Sequence, residues 1–293
     1  MVTAEKSRID CRHIDVLDGI RAVSVIIVLI FHFWQQTWIF PVIKTPWLAS
    51  VGITKIDFSN FATVGYLFVD MMVLISGFLL FLPLMRSIIL GEEMSSWKNY
   101  ARRRIARIVP SYYFAVLLLF FASALPTGAY ATTADALKDL FAHLTFTQTL
   151  WVNTYIATPL DVVLWTVAIE VWFYVLFPFV AEFIKGPRNK NRQSFTPAYG
   201  IFFIFAVFNI INYVYTENFV LKDNVYLAMR INQFPAFLGV YSIGMLGASA
   251  FVLIAKNCRR SRIFNAVNTL FSVCSILLII YLINDCVATQ ERQ

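Results

Sequence analysis

The chain has 293 residues, 59% of them hydrophobic and 14% charged, with a formal net charge of +7 and a mean hydropathy of +0.69. Soluble domains run nearer ~45–50% apolar and ~25% charged, so this balance excludes an ordinary soluble protein. The basicity does not indicate nucleic acid either, because Lys and Arg gather between apolar runs, as membrane orientation requires.

Long apolar runs of about 20 residues suit helices crossing a ~30 Å hydrocarbon layer, and they lack the alternation of membrane barrel strands. The expected fold is therefore all-α, a polytopic transmembrane helix bundle forming one domain over 1–293. Ile9 to Arg21 is polar and no small-residue cleavage site follows the first apolar run, which is expected to remain as a span.

In chain order, apolar stretches bounded by charges, prolines or polar runs predict seven spans, near 20–39, 61–82, 110–126, 161–184, 198–215, 231–255 and 264–283. Phe141 to Trp151 is apolar but short, with Gln148 and Asn153 beside it, and reads as a re-entrant or interfacial segment. Basic residues before the first span (Lys6, Arg8, Arg12), between the second and third (Arg86, Lys98, Arg102, Arg103, Arg104, Arg107), after the fourth (Lys185, Arg188, Lys190, Arg192) and after the sixth (Lys256, Arg259, Arg260, Arg262) all fall on one side. The positive-inside rule puts that side, and the N-terminus, in the cytoplasm.

Cys11, Cys258, Cys274 and Cys286 form no CxxC pair, so neither a zinc site nor a disulfide framework is indicated. Zinc-protease, serine-hydrolase and nucleotide-loop motifs are missing too, and no metal is expected. His13 and His143 lack partners at useful spacing and receive no role.

A titratable group at mid-membrane costs about 2.5–3.5 kcal/mol on insertion scales and asks for a reason. His32, Asp70 and Glu170 lie well within spans. The helical rise places them roughly 10, 13 and 13 Å from the outer boundary. An imidazole beside carboxylates is the make-up of a general base with an orienting partner, although each group also suits a helix–helix hydrogen bond. Arg21 precedes His32 by eleven positions, about three turns, and so projects from the same helix face. Asp18 can hold it by an i,i+3 contact, while an interfacial anchor is the alternative.

Arg102, Arg103, Arg104 and Arg107 form a guanidinium cluster leading into the third span. Planar forks bind phosphates bidentately, so the cluster suits the phosphates of coenzyme A, an anionic lipid, or simple membrane orientation. In the second span Ser76 and Gly77 put small residues among bulky ones: Gly77 for close packing, Ser76 for a hydrogen bond across the interface or to a substrate. In the fourth, Tyr174 lies one turn after Glu170 and can bond it, and Trp165 marks the boundary or meets a substrate.

Four blocks of residues resemble the acyltransferase 3 family of membrane O-acyltransferases, which modify surface polysaccharides, peptidoglycan, antibiotics and lipids. LDGIRAVSVIIVLIFH (Leu17 to His32) is similar to the opening helix with its Arg-x10-His spacing, and LFVDMMVLISGFLL (Leu67 to Leu80) to the second-helix block. RRRIARIVPSYY (Arg102 to Tyr113) resembles the arginine-rich opening of the third helix, and LWTVAIEVWFYVLFP (Leu164 to Pro178) the Trp-Ser/Thr-x-x-x-Glu block. All four stand in family order within about the first 180 residues.

The resemblance implies His32 as essential base, Arg21 as its companion and Arg102 to Arg107 in donor binding. It also implies acyl-CoA, commonly acetyl-CoA, as donor, with a hydroxyl-bearing acceptor such as a surface glycan, at the plasma (inner) membrane. The chain departs from the pattern at Ala22, where Gly is usual, and at Val171-Trp172, where Glu-Gln is common, so a second acidic role is not carried over. Family members usually have about ten spans, and seven here read as a short or truncated member. A proton-coupled transporter or flippase, with His32, Asp70 and Glu170 lining a polar path, is the competing reading; it leaves the four blocks and the arginine cluster without a purpose.

Overall fold

A computed structural model describes residues 14–160, 162–186, 197–222, 225–258 and 262–290. The basic residues Lys6, Arg8, Arg12, Arg188, Lys190, Arg192, Arg259 and Arg260, with Cys11 and His13, lie outside the described residues. The long helices are α1 (Asp15–Thr37), α2 (Leu67–Leu90), α3 (Trp97–Leu119), α4 (Thr133–Leu144), α5 (Trp165–Lys185), α6 (Pro197–Tyr215), α7 (Leu238–Asn257) and α8 (Arg262–Gln290). All but α4 belong to the seven segments long and apolar enough to cross a membrane. The expected polytopic all-α architecture and the count of seven hold, and 141–155 supplies no span.

The second and third spans shift most. The second span begins at Leu67 rather than near 61 and continues to Leu90. The third begins at Trp97 rather than near 110, because Ser96 caps it by accepting from Asn99 N (3.4 Å) and Pro110 is carried inside the helix. Inside a membrane an interior proline is tolerated where neighbouring groups make up for the lost backbone bond. Arg102 to Arg107 therefore stand on the helix itself, where their phase decides which way each one points.

The moved boundaries also correct the depths. Asp70 is in the first turn of α2, roughly 5 Å from its start rather than 13. His32, five residues before Thr37, and Glu170, five after Trp165, each lie roughly 8 Å from their helix end.

By contacts the chain divides into two compact units, Met1–Ile75 with Ala250–Gln293, and Ser76–Ser249, the cuts falling inside α2 and α7. In the first unit α1 ends on Trp38, whose left-handed φ of 56° closes the helix with a bond from its N–H to Trp34 O (2.6 Å). The following loop carries a hairpin absent from the sequence expectations, β1 (Val42–Lys44) paired antiparallel with β2 (Lys55–Asp57). Both the N–H and the hydroxyl of Ser59 donate to Asp57, holding its carboxyl below the usual range. A short helix, Ser59–Thr63, follows. Gly65 packs so closely on α1 that a Cβ there would sit 2.4 Å from Phe31 Cβ, and Asn60 Nδ2 donates to Asn284 Oδ1 of α8 (2.8 Å).

In the second unit the interior is aromatic. Phe173 of α5 stacks on Tyr241 of α7 with centroids 3.9 Å apart, and Phe81 of α2 meets Phe177 edge-on at 5.3 Å. Gly77 makes this possible: a Cβ there would lie 2.5 Å from Tyr241 O, so only hydrogen lets α2 approach α7. The segment between α3 and α5 folds as a polar plug around α4, capped by Thr132 accepting from Asp135 N (3.1 Å). Buried Asp139 accepts from Tyr130 (2.8 Å) and Thr158 (2.7 Å), and Tyr112 donates to His143 O (3.1 Å). Burial first, and Asp139 second, push the Tyr130 phenol up; burial likewise pushes Tyr155 up to about 12. Tyr130 stays a neutral donor to Asp139, while the Tyr155 hydroxyl accepts from Asn232 Nδ2.

Candidate active site

In the first unit, Arg21 and His32 are both half-buried on α1. His32 Nδ1 lies 3.4 Å from Gln35 Oε1, and its ring meets Phe31 edge-on at 5.1 Å. When Nδ1 carries the proton and donates to Gln35, Nε2 keeps the lone pair that a general base needs. The Nδ1 side of the His32 ring thus meets an amide one turn along its own helix. Asp70, half-buried in the first turn of α2, sits at the positive end of the helix dipole, which is by itself a reason for a carboxylate there.

In the second unit a chain of polar contacts crosses three helices. Tyr174 donates its hydroxyl to Glu170 Oε1, as the i,i+4 spacing predicted. Ser76 Oγ approaches the same oxygen at 3.5 Å, realising the cross-helix bond anticipated for it. Arg104 of α3 lies over the Tyr174 ring, 5.0 Å from its centroid, and over Tyr100 at 5.6 Å. Tyr100 donates to Tyr174 O (3.2 Å). Trp165 packs on Phe237 at 5.5 Å, outside this chain.

Beyond Arg104 the chain opens into a polar cavity of about 240 Å³. Arg86, Arg103 and Arg104 supply its cations, Glu92 and Glu93 its anions, and Tyr100 one wall. An apolar groove of about 400 Å³, lined among others by Ile105, Ile108, Phe146, Val171 and Val175, shares that wall of Tyr100 and Arg104. The arginine cluster is therefore not one group. At ~100° per residue Arg102 faces away from Arg104, and Arg107 follows Arg103 one turn along; neither Arg102 nor Arg107 lines the cavity.

A family model for an acyltransferase domain matches residues 14–288. The chain belongs to the acyltransferase 3 family. Among curated proteins it is similar to O-acetyltransferase OatA of Staphylococcus aureus, at 28% identity over 201 residues in strains NCTC 8325, COL and MRSA252. Each alignment covers 63% of this chain and 28% of the relative, so the chain matches less than a third of those proteins' length. No solved structure matches it.

Within this acyltransferase 3 chain, sequence reading missed Gln35, Tyr100, Glu92 and the placement of Arg86. The i,i+3 spacing from His32 was an available signal for Gln35. Arg86 had been counted only as a topology charge, because nothing in the linear order joins it to residues seventeen and eighteen positions later on another helix.

Proposed function

We propose that the chain is an integral membrane O-acyltransferase that moves an acyl group, acetyl in particular, from acyl-CoA to a hydroxyl of a cell-surface glycan. The O-acetyltransferase relatives support the acetyl group and the oxygen acceptor. The observation that carries the donor is the arginine-lined cavity joined through Arg104 and Tyr174 to Glu170 and Ser76. Forked guanidinium groups suit the phosphates of coenzyme A. Arg103 and Arg104 line that cavity, while Arg102 and Arg107 raise the positive potential along the same stretch of α3.

His32 is the base. Its Nε2 takes the proton of the acceptor hydroxyl, the oxygen attacks the thioester carbonyl, the C–S bond breaks, and the thiolate leaves to accept a proton. The products are the O-acyl ester and free coenzyme A. Arg21, on the same helix as His32, supplies a donor to the developing oxyanion; roughly 16 Å of helix between the two means that it serves this role only on an extended substrate. Glu170, held by Tyr174, orients substrate, with Trp165 at the helix entrance and Asp70 as a second acidic group. The basic segments support a plasma (inner) membrane location with a cytoplasmic N-terminus.

The test is to supply radiolabelled acetyl-CoA to membranes carrying the protein and recover alkali-labile label from envelope glycans. Label above that of membranes lacking the protein is the expected result, and equal label in both contradicts the reading.

A further inference from the structure

We propose that Arg86 is the third arginine of the donor's phosphate site and that Glu92 is the internal carboxylate which the phosphate displaces; this rests on the acyl-CoA reading above. The backbone builds the contact deliberately. After α2 ends at Leu90, Gly91 adopts a φ of +73°, a left-handed turn open to glycine, with no atom within 4 Å of where a Cβ would stand. The chain reverses there, so that Glu92 N bonds Arg86 O (3.4 Å) and the Glu92 carboxylate meets Arg86 Nη2.

Arg86 is well enclosed, with 17% of its side chain exposed, and Glu92 is looser at 40%. The guanidinium is only partly satisfied by this partner: its buried Nε has no hydrogen bond among the described residues. A guanidinium offers five donors in a planar fork, and a carboxylate on one edge leaves others to be met. Arg103 and Arg104 line the same cavity, so three cations share it with Glu92 and Glu93, the only carboxylates lining it among the described residues. Like charges that line one small cavity repel one another unless anions lie among them. Glu92 sits where one such anion belongs, on a loop hinged by Gly91 rather than on a helix. A phosphate accepts the same fork with more charge and more acceptor oxygens than a carboxylate. It therefore competes for Arg86 directly, and Glu92 swings out as it binds.

A loop ion pair with no ligand role makes the opposite forecast, since removing Glu92 would then leave donor affinity unchanged or lower it. The experiment is calorimetric titration of coenzyme A, with pantetheine as the phosphate-free control, into the detergent-solubilised full chain as wild type, Arg86→Gln and Glu92→Gln. Arg86→Gln weakens coenzyme A binding roughly tenfold or more, as loss of a charge-assisted contact does. Glu92→Gln tightens it roughly two- to fivefold, the worth of a part-exposed ion pair no longer broken on binding. A gain cannot come from misfolding, so the second variant guards the first, and pantetheine should discriminate among none of the three. Wild-type binding that neither substitution alters, or that Glu92→Gln weakens, overturns the inference and leaves the donor reading standing. Wild type that binds no coenzyme A removes the donor reading and this inference with it.

Discussion

His32 and Glu170 stand equally far from the ends of their helices, yet they are held in opposite ways. His32 is contacted from its own helix, by Gln35 and Phe31, on a helix that buries 6% of its most apolar stretch. Glu170 lies on a helix with 44% of that stretch buried, and it takes the hydroxyls of Tyr174 and of Ser76 from α2. In lipid, apolar surface gains little by turning inward, so polar bonds and small residues decide which helices pack tightly. The carboxylate belongs to a polar chain that crosses helices, while the imidazole leans on its own helix.

Breaking the less supported partner should cost chemistry rather than structure. His32→Ala is expected to lower acetyl-CoA turnover about 10²–10⁴-fold, the usual worth of a general base, with unchanged melting temperature and coenzyme A affinity. The fixed side fails in the other sense. Gly77→Leu drives a side chain into Tyr241 O and should destabilise the protein by ~1–3 kcal/mol in thermal melts. Gly65→Ala, against Phe31, is the matching test in the first unit.

Smaller effects sharpen the comparison within α3. Arg104→Gln removes a cavity cation and should weaken coenzyme A binding roughly tenfold, whereas Arg102→Gln, which lines no part of the cavity, should change it less than about twofold. Smallest is Tyr174→Phe, which deletes one hydroxyl from Glu170 and should cost about 1 kcal/mol of stability by denaturant titration.

Much of this was readable from the chain. Apolar runs of sufficient length gave all seven spans, because a backbone in lipid has few alternatives to the helix. The Tyr174–Glu170 bond followed from one-turn spacing, and the packing role of Gly77 from its setting among bulky residues. What could not be read was phase and distance. Treating Pro110 as a boundary moved Arg102 to Arg107 into a loop, and so hid the fact that consecutive arginines on a helix diverge by ~100°. The convergence of Arg86 with Arg103 and Arg104 is tertiary, and no periodicity announces it. The Val42–Asp57 hairpin was missed for a related reason: strands of three residues are too short to display alternation.

Consumption of acyl-CoA with His32 as the base is the proposal on which the rest depends. It is tested most directly by following free-thiol release from acetyl-CoA by purified wild type and His32→Ala, with coenzyme A binding measured on both. Release by wild type that falls to background in the mutant, while both bind coenzyme A, is the expected result. Equal release from the two proteins would contradict it.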